Sequence, residues 1–213
     1  MHIMLDLETW GKRPGCDLRS IGAVVFDPVA GIVCYDASPS PGGTFYVATD
    51  NPTEQAEPVQ IGISRYELPA QRKYWWLTRD PETVKWWSEQ SSEAQAAFAN
   101  PVDLKDALEL FDQWLSQFAK FDDFASKADL SHVRIWANGP QFDVSILEAA
   151  YHAVQLPTPW HYRAPRDFRT ITEAAGMTPS DFCNYGEAHN ALDDAIAQAM
   201  TVCEAYKRLG LAK

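Results

Sequence analysis

The amino-acid sequence predicts an α/β domain with a mixed sheet, and three observations carry that expectation. Short β-branched apolar runs crowd the first 50 residues. Apolar residues at helical spacing dominate from residue 80 onward. A short apolar run at 133–137 then separates two helical patterns, so strand and helix alternate in the second half.

Taken in order, residues 3–8 read as a strand ending in acids, and residues 19–26 (RSIGAVVF) as the clearest strand of the chain. Asp27-Pro28 and Gly31 punctuate a turn, which makes 32–35 a partner strand, and 44–48 offers another. Strands this close in sequence imply an antiparallel half-sheet. Residues 50–80 look irregular. At Asp80-Pro81 a helix starts, since Asp caps and Pro suits the first turn. It carries Trp86 and Trp87. Ser91 or Ser92 caps a second, short helix through Phe98, and Asn100-Pro101 opens a third. In that third helix Leu104, Leu108, Phe111, Leu115 and Phe118 recur at core-packing spacing.

Residues 121–131 read as a charged, exposed loop. A buried strand at 133–137, a turn at Asn138-Gly139-Pro140 and a helix at 143–154 follow. Residues 167–171 read as the last strand. The final helix, 191–208, gathers Leu192, Ala195, Ile196, Ala199, Cys203 and Tyr206 on one face. Residues 1–213 thus form a single domain, with a Trp-rich helical insertion at about 72–120.

Composition narrows the function. A hydrophobic share of 46% supplies a packed core. No run approaches the about 20 apolar residues of a membrane span, and two acids by position 8 do not suit a signal peptide. The four cysteines are scattered without a CxxC pair, so a reduced, cytoplasmic protein is the expectation. A net charge of −11 argues against broad binding of long duplex DNA, which uses many Lys and Arg contacts to phosphate. It leaves room for an enzyme that grips a few terminal nucleotides.

The chemistry-bearing residues fall in three places. In Asp6-Leu7-Glu8, alternate strand residues share a face, so both carboxylates project together. A divalent cation would relieve their repulsion, and Mg²⁺ and Mn²⁺ prefer oxygen ligands. A solvated edge strand accounts for the same three residues. Asp143 begins a helix just after a buried strand, where stabilising the helix terminus, worth about 0.3–1 kcal/mol, explains it alone. In His189-Asn190-Ala191-Leu192-Asp193-Asp194, Asn190 and Asp193 have the spacing of a capping box. Asp194 then lies in the first turns of the helix, with His189 just outside it. A histidine there can swing over a site as a general base; an exposed loop histidine is the plainer reading. Together the acids and the histidine suit phosphoryl transfer assisted by two cations about 3.5–4 Å apart.

With these residues in place, the chain resembles the DEDDh subgroup of the DnaQ-like 3′–5′ exonucleases, which have a ribonuclease H-like fold. Asp6-Leu7-Glu8-Thr9 is similar to the family's first motif, and Asn138 through Phe142-Asp143 to the second. His189 with Asp194 five residues later is similar to the third. A sister subgroup has Tyr four residues before the last Asp, where this chain has Asn190. Asp167-Phe168-Arg169-Thr170 also resembles a segment of relatives. The stretch from Thr83 to Ala94, containing Trp86 and Trp87, resembles a small phage and bacterial branch that includes a mycobacterial-type exoribonuclease.

The resemblance implies a ribonuclease H-like mixed sheet flanked by helices. It implies two divalent cations, Mg²⁺ or Mn²⁺, held by Asp6, Glu8, Asp143 and Asp194, with His189 as the base. Leu7, Thr9 and Phe142 would meet the terminal nucleotide of a single-stranded DNA or RNA 3′ end. Adjacent helical residues point about 100° apart, so one of Trp86 and Trp87 is expected in the core and the other toward substrate. The alternatives are a non-catalytic nucleic-acid-binding module on the same fold and a plain α/β interaction domain. No membrane partner is expected. The aromatic-rich 74–118 region leaves room for a homodimer.

Overall fold

The computed structural model describes residues 1–34, 42–54, 59–61, 64–66, 70–120 and 129–212. Strand β1 (His2–Thr9) runs antiparallel to β2 (Leu18–Asp27), which pairs with β3 (Ile32–Val33) and with β4 (Thr44–Asp50). The early strands therefore form the expected antiparallel half. Beyond them lie two small pairs: β5 (Thr53–Glu54) with β8 (Gln71–Arg72), and β6 (Val59–Ile61) with β7 (Ser64–Tyr66). Three helices follow, α1 (Pro81–Ser88), α2 (Ser92–Ala96) and α3 (Leu104–Ser116), with β9 (Val102–Asp103) between the last two. The rest of the chain alternates: β10 (Arg134–Ala137), α4 (Asp143–Ala153), β11 (Pro165–Asp167), α5 (Phe168–Ala174) and α6 (Ala191–Arg208). The main sheet has the order β11-β10-β1-β2-β4-β9, with β10 parallel to β1 and β11 parallel to β10. It is a mixed α/β sheet covered by helices, in one domain.

Local chemistry sets the boundaries. Asp80 caps α1 by accepting the Glu82 N–H, and Ser91 caps α2. Three expectations need correction. The third helix does not open at Asn100-Pro101: Asn100 takes a left-handed φ of 56°, β9 pairs with the end of β4, and Asp103 caps the helix at Leu104. Residues 167–171 are not a strand either. The strand stops at Asp167, whose carboxylate accepts the Arg169 N–H and turns the chain into α5. Segment 50–80 contains short paired strands instead of being wholly irregular. The expected strand 32–35 is seen at Ile32–Val33, with Tyr35 outside the described residues. Of the loop expected at 121–131, residues 121–128 also lie outside them.

Two cores sandwich the sheet. Ile3, Leu5 and Leu7 enter one with α3 and α4, where Leu104, Leu108, Phe111 and Leu115 are buried as the helical spacing predicts. Met4, Val24, Phe26 and Trp136 enter the other with α6, through Ala195, Ile196, Ala199, Val202 and Cys203. None of the four cysteines is in a disulfide, and no helix among the described residues is long and apolar enough to cross a membrane.

Gly22 decides how closely α6 can approach. It pairs with Asp6 across the β1–β2 ladder, and a Cβ there would lie 2.1 Å from the carbonyl carbon of Ala191, the first residue of α6. Replacing it by alanine must push backbone against backbone. Gly22→Ala is expected to cost about 1–3 kcal/mol of stability, read as a lowered melting temperature. An unchanged melt would mean that the helix start does not rest on this strand.

Candidate active site

Strand alternation places Asp6 and Glu8 on the face of β1 that Met4 shares, toward α6, while Leu5 and Leu7 enter the opposite core. The same strand thus changes from apolar to acidic on one side only. Asp143, the first residue of α4, does not cap its own helix. Its buried carboxylate accepts the backbone N–H of Leu7 at 3.3 Å, tying α4 to β1. Asp194 comes from the first turn of α6, where Asn190 caps by accepting the Leu192 N–H at 3.0 Å and the Asp193 N–H at 3.4 Å. The expected capping box is only half formed. Asp193 turns its carboxylate back to the N–H of Glu187, at 2.9 Å, and so fixes the loop ahead of the helix.

His189 stands at the end of that loop with a φ of 66°, a conformation uncommon for any residue but glycine. Its N–H donates to Asp194 Oδ2 at 3.0 Å. Its ring meets the edge of Trp86 at a centroid distance of 4.9 Å. Ligand atoms of Glu8, His189 and Asp194 all lie within 4.8 Å of one another. Asp6 and Asp143 are not in that trio but line the same cavity of about 540 Å³.

A second cavity, of about 550 Å³, adjoins the first through Leu7, Glu8 and Phe142. Thr9, Trp86 and Trp87 line it as well. Trp87 is buried, with its Nε1–H on the Thr9 carbonyl at 2.9 Å, whereas Trp86 is 40% exposed. The Thr9 hydroxyl donates to the Gly11 carbonyl at 2.6 Å.

Burial and mutual repulsion disturb the acids. Burial first, then Asp143, Glu8 and Asp194, hold the Asp6 carboxyl well above its ordinary range. Glu8 is pushed up to about 8 by burial and then by Asp194. Burial lifts Asp143 to about 7 against the opposing Leu7 N–H, and burial raises Asp194 too. A hard divalent cation fits the carboxylate oxygens of this set.

Sequence reading missed three polar neighbours. Gln198 donates from Nε2 to Asp6 Oδ1 at 2.8 Å, and its position one turn after Asp194 was the available signal. Arg169 donates to Asn138 Oδ1 at 2.9 Å and lines the acidic cavity; it belongs to the Asp167–Thr170 stretch, which carried no assigned role. Arg19 lies across the β1–β2 ladder at the register shift between Glu8 and Thr9, and had no signal at all.

The mixed sheet thus brings four acids and a histidine to one cavity. Residues 1–206 match the family model of the 3′-5′ exoribonuclease Rv2179c-like domain, and the chain belongs to that family of 3′–5′ exonucleases. Among solved structures, cell-death related nuclease 4 (CRN-4) is similar at 14% identity and a TM-score of 0.52, over 98% of this chain and 64% of that one. The nuclease domain of 3′hExo, a DEDDh family member bound to rAMP, is similar at 13% identity and a TM-score of 0.50, over 97% and 91%. These two likenesses concern the fold. No curated protein matches the chain.

The raised carboxylates give a pH signature. Their favourable contribution is complete below the unfolded value of about 4 and disappears as pH rises through the folded values, about 7 for Asp143 and about 8 for Glu8. Metal-free protein should therefore lose stability as pH rises from about 4 to about 8. A bound divalent cation offsets the repulsion, so the rise in melting temperature with Mg²⁺ should grow over the same interval. Asp6→Asn should raise the metal-free melting temperature and shrink the Mg²⁺ effect. Thermal melts across that range with Mg²⁺ or EDTA test all three statements, and a Mg²⁺ effect that shrinks with pH would contradict the second.

Proposed function

We propose that this chain removes nucleotides one at a time from the 3′ end of single-stranded nucleic acid, with Asp6, Glu8, Asp143, His189 and Asp194 as its catalytic residues. The observation that carries this reading is the convergence of all five residues on one cavity. The family name favours RNA over DNA as the substrate. Asp6, Glu8, Asp143 and Asp194 would hold two divalent cations, Mg²⁺ or Mn²⁺. When bound, such ions stabilise charge on the phosphodiester oxygens.

The chain's own groups do the rest. The terminal nucleoside occupies the adjoining cavity, against Leu7, Thr9 and Phe142. The Thr9 hydroxyl donates to the Gly11 carbonyl, so toward the sugar its oxygen acts as an acceptor. Trp86 offers its exposed ring to a base, a contact worth about 1–3 kcal/mol and indifferent to sequence. Trp87 supports that wall from inside and is not a direct contact. His189 accepts the proton of the attacking water as its oxygen bonds to phosphorus. The bond to the 3′ oxygen of the preceding nucleotide breaks, that oxygen takes up a proton, and a 5′ mononucleotide leaves. The acids repel substrate phosphate until cations are present, so binding of nucleic acid should itself depend on metal.

The test is digestion of 3′- and 5′-labelled single-stranded RNA and DNA with Mg²⁺, Mn²⁺ or EDTA. Stepwise shortening from the 3′ end is expected, faster on RNA and abolished by EDTA and in Asp6→Asn. His189→Ala should lose about 10²–10⁴-fold in turnover while keeping most of the Mg²⁺-induced rise in melting temperature. Undiminished turnover in that variant would remove His189 from the role of base. Substrate binding without cleavage under any metal would favour the non-catalytic module.

A further inference from the structure

Arg19 is the buried cation nearest in the ladder to the acidic site, and no role above uses it. The β1–β2 register slips between Glu8 and Thr9: Glu8 faces Ser20 and Thr9 faces Leu18, which leaves Arg19 as the extra residue of a bulge. Bulges re-aim a side chain. Here Arg19 is only 7% exposed, and its guanidinium enters a cage of three aromatic rings, 4.3 Å from the Trp10 centroid, 4.2 Å from Trp87 and 3.7 Å from Phe98. Nη2 donates to Gln95 Oε1 at 3.2 Å, and Gln95 in turn donates to the Trp87 carbonyl. Nη1 is buried with no hydrogen-bond partner among the described residues.

A charge so placed is expensive to bury. No carboxylate forms an ion pair with it among the described residues, and the anion that most favours its charge is Glu8. A methionine or leucine would fill an aromatic cage without that cost. Packing alone therefore does not explain an arginine at this position. The cage also reaches the other wall of the site, because Trp87 packs edge-on to Trp86 and Trp86 to His189, at 4.8 and 4.9 Å.

We propose that Arg19 is a positioning residue for the exonuclease reaction: from the bulge opposite Glu8 and Thr9 its aromatic cage holds the tryptophan helix against His189 and keeps a fixed positive charge beside the cation-binding end of β1. This rests on the reading of Glu8 as a cation ligand. Arg19 touches no substrate in this scheme, so its effect should appear in the cation requirement and turnover, and far less in KM.

Wild type, Arg19→Lys, Arg19→Met and Glu8→Gln would be compared in two readouts. One is the Mg²⁺-induced rise in melting temperature; the other is the Mg²⁺ dependence of kcat and KM on a labelled RNA oligonucleotide. Groups outside the ligand set that support a metal site are worth about 10–100-fold, so Arg19→Met should raise the Mg²⁺ needed for half-maximal turnover by about tenfold or more. KM for RNA should move by less than about twofold. Arg19→Lys, which keeps the charge but not the planar stacking, should fall between the two. A folded Arg19→Met with wild-type Mg²⁺ dependence and kcat would overturn the proposal. Should that variant not fold, Arg19→Lys decides: a raised Mg²⁺ requirement supports the assignment and an unchanged one overturns it. If wild type shows the Mg²⁺-induced rise but cleaves nothing, the exonuclease reading fails by itself, and the melting comparison still judges Arg19.

Discussion

Repulsion among Asp6, Glu8, Asp143 and Asp194 is the constraint on which the rest of the architecture turns. Burial raises the proton affinity of all four acids, repulsion from their neighbours adds to it at Asp6 and Glu8, and the fold must hold them there regardless. The centre of the sheet provides the rigidity. β1 has a neighbour on both sides, the Leu7 N–H clamps Asp143, and a bare Gly22 lets the start of α6 come close enough to deliver Asp194. Each device trades local comfort for placement, a familiar bargain at sites that do chemistry.

The walls around the acids obey a different physics. Buried Asp17 accepts from Arg79 Nε at 2.7 Å and from Asn51 Nδ2 at 2.7 Å, and it also pairs with Arg72. That polar knot pins the segment after β8 to the start of β2. Trp10 lies between two guanidinium groups, those of Arg19 and Arg79, and continues the support toward α1. The outcome is a division of labour between two joined cavities. One is lined by the four acids and His189; the other sets Leu7, Trp86, Trp87 and Phe142 beside polar Thr9, Lys12 and Glu82.

Much of this was legible in the sequence because its signals were local. The alternation in β1, the helical spacing of α3 and α6, and the Asp80 and Asn190 caps each follow from residues a few positions apart. The acids were legible as a set because their motifs combined strand ends with helix starts. What stayed hidden depended on partners far along the chain. Asp167 looked like part of a strand, yet its short side chain preferred to cap α5. The Asn100-Pro101 pair looked like a helix start, but pairing of Val102 with Thr49 delayed the helix. Arg19 reads as an ordinary strand residue until the slip in register is seen. Gly22 likewise reveals its purpose only when Ala191 is placed above it.

The hydrogen bond from Gln198 to Asp6 joins residues 192 positions apart, and the bond from Leu7 to Asp143 spans 136. Contacts this distant in sequence form late in folding, because the intervening chain must close first. A growing polypeptide therefore carries Asp6 and Glu8 long before the helix that completes their site has emerged from the ribosome. The acidic cleft is incomplete in every form of the chain that lacks a folded α6, because that helix supplies Asp194. Fraying of α6 in the mature molecule would withdraw it again.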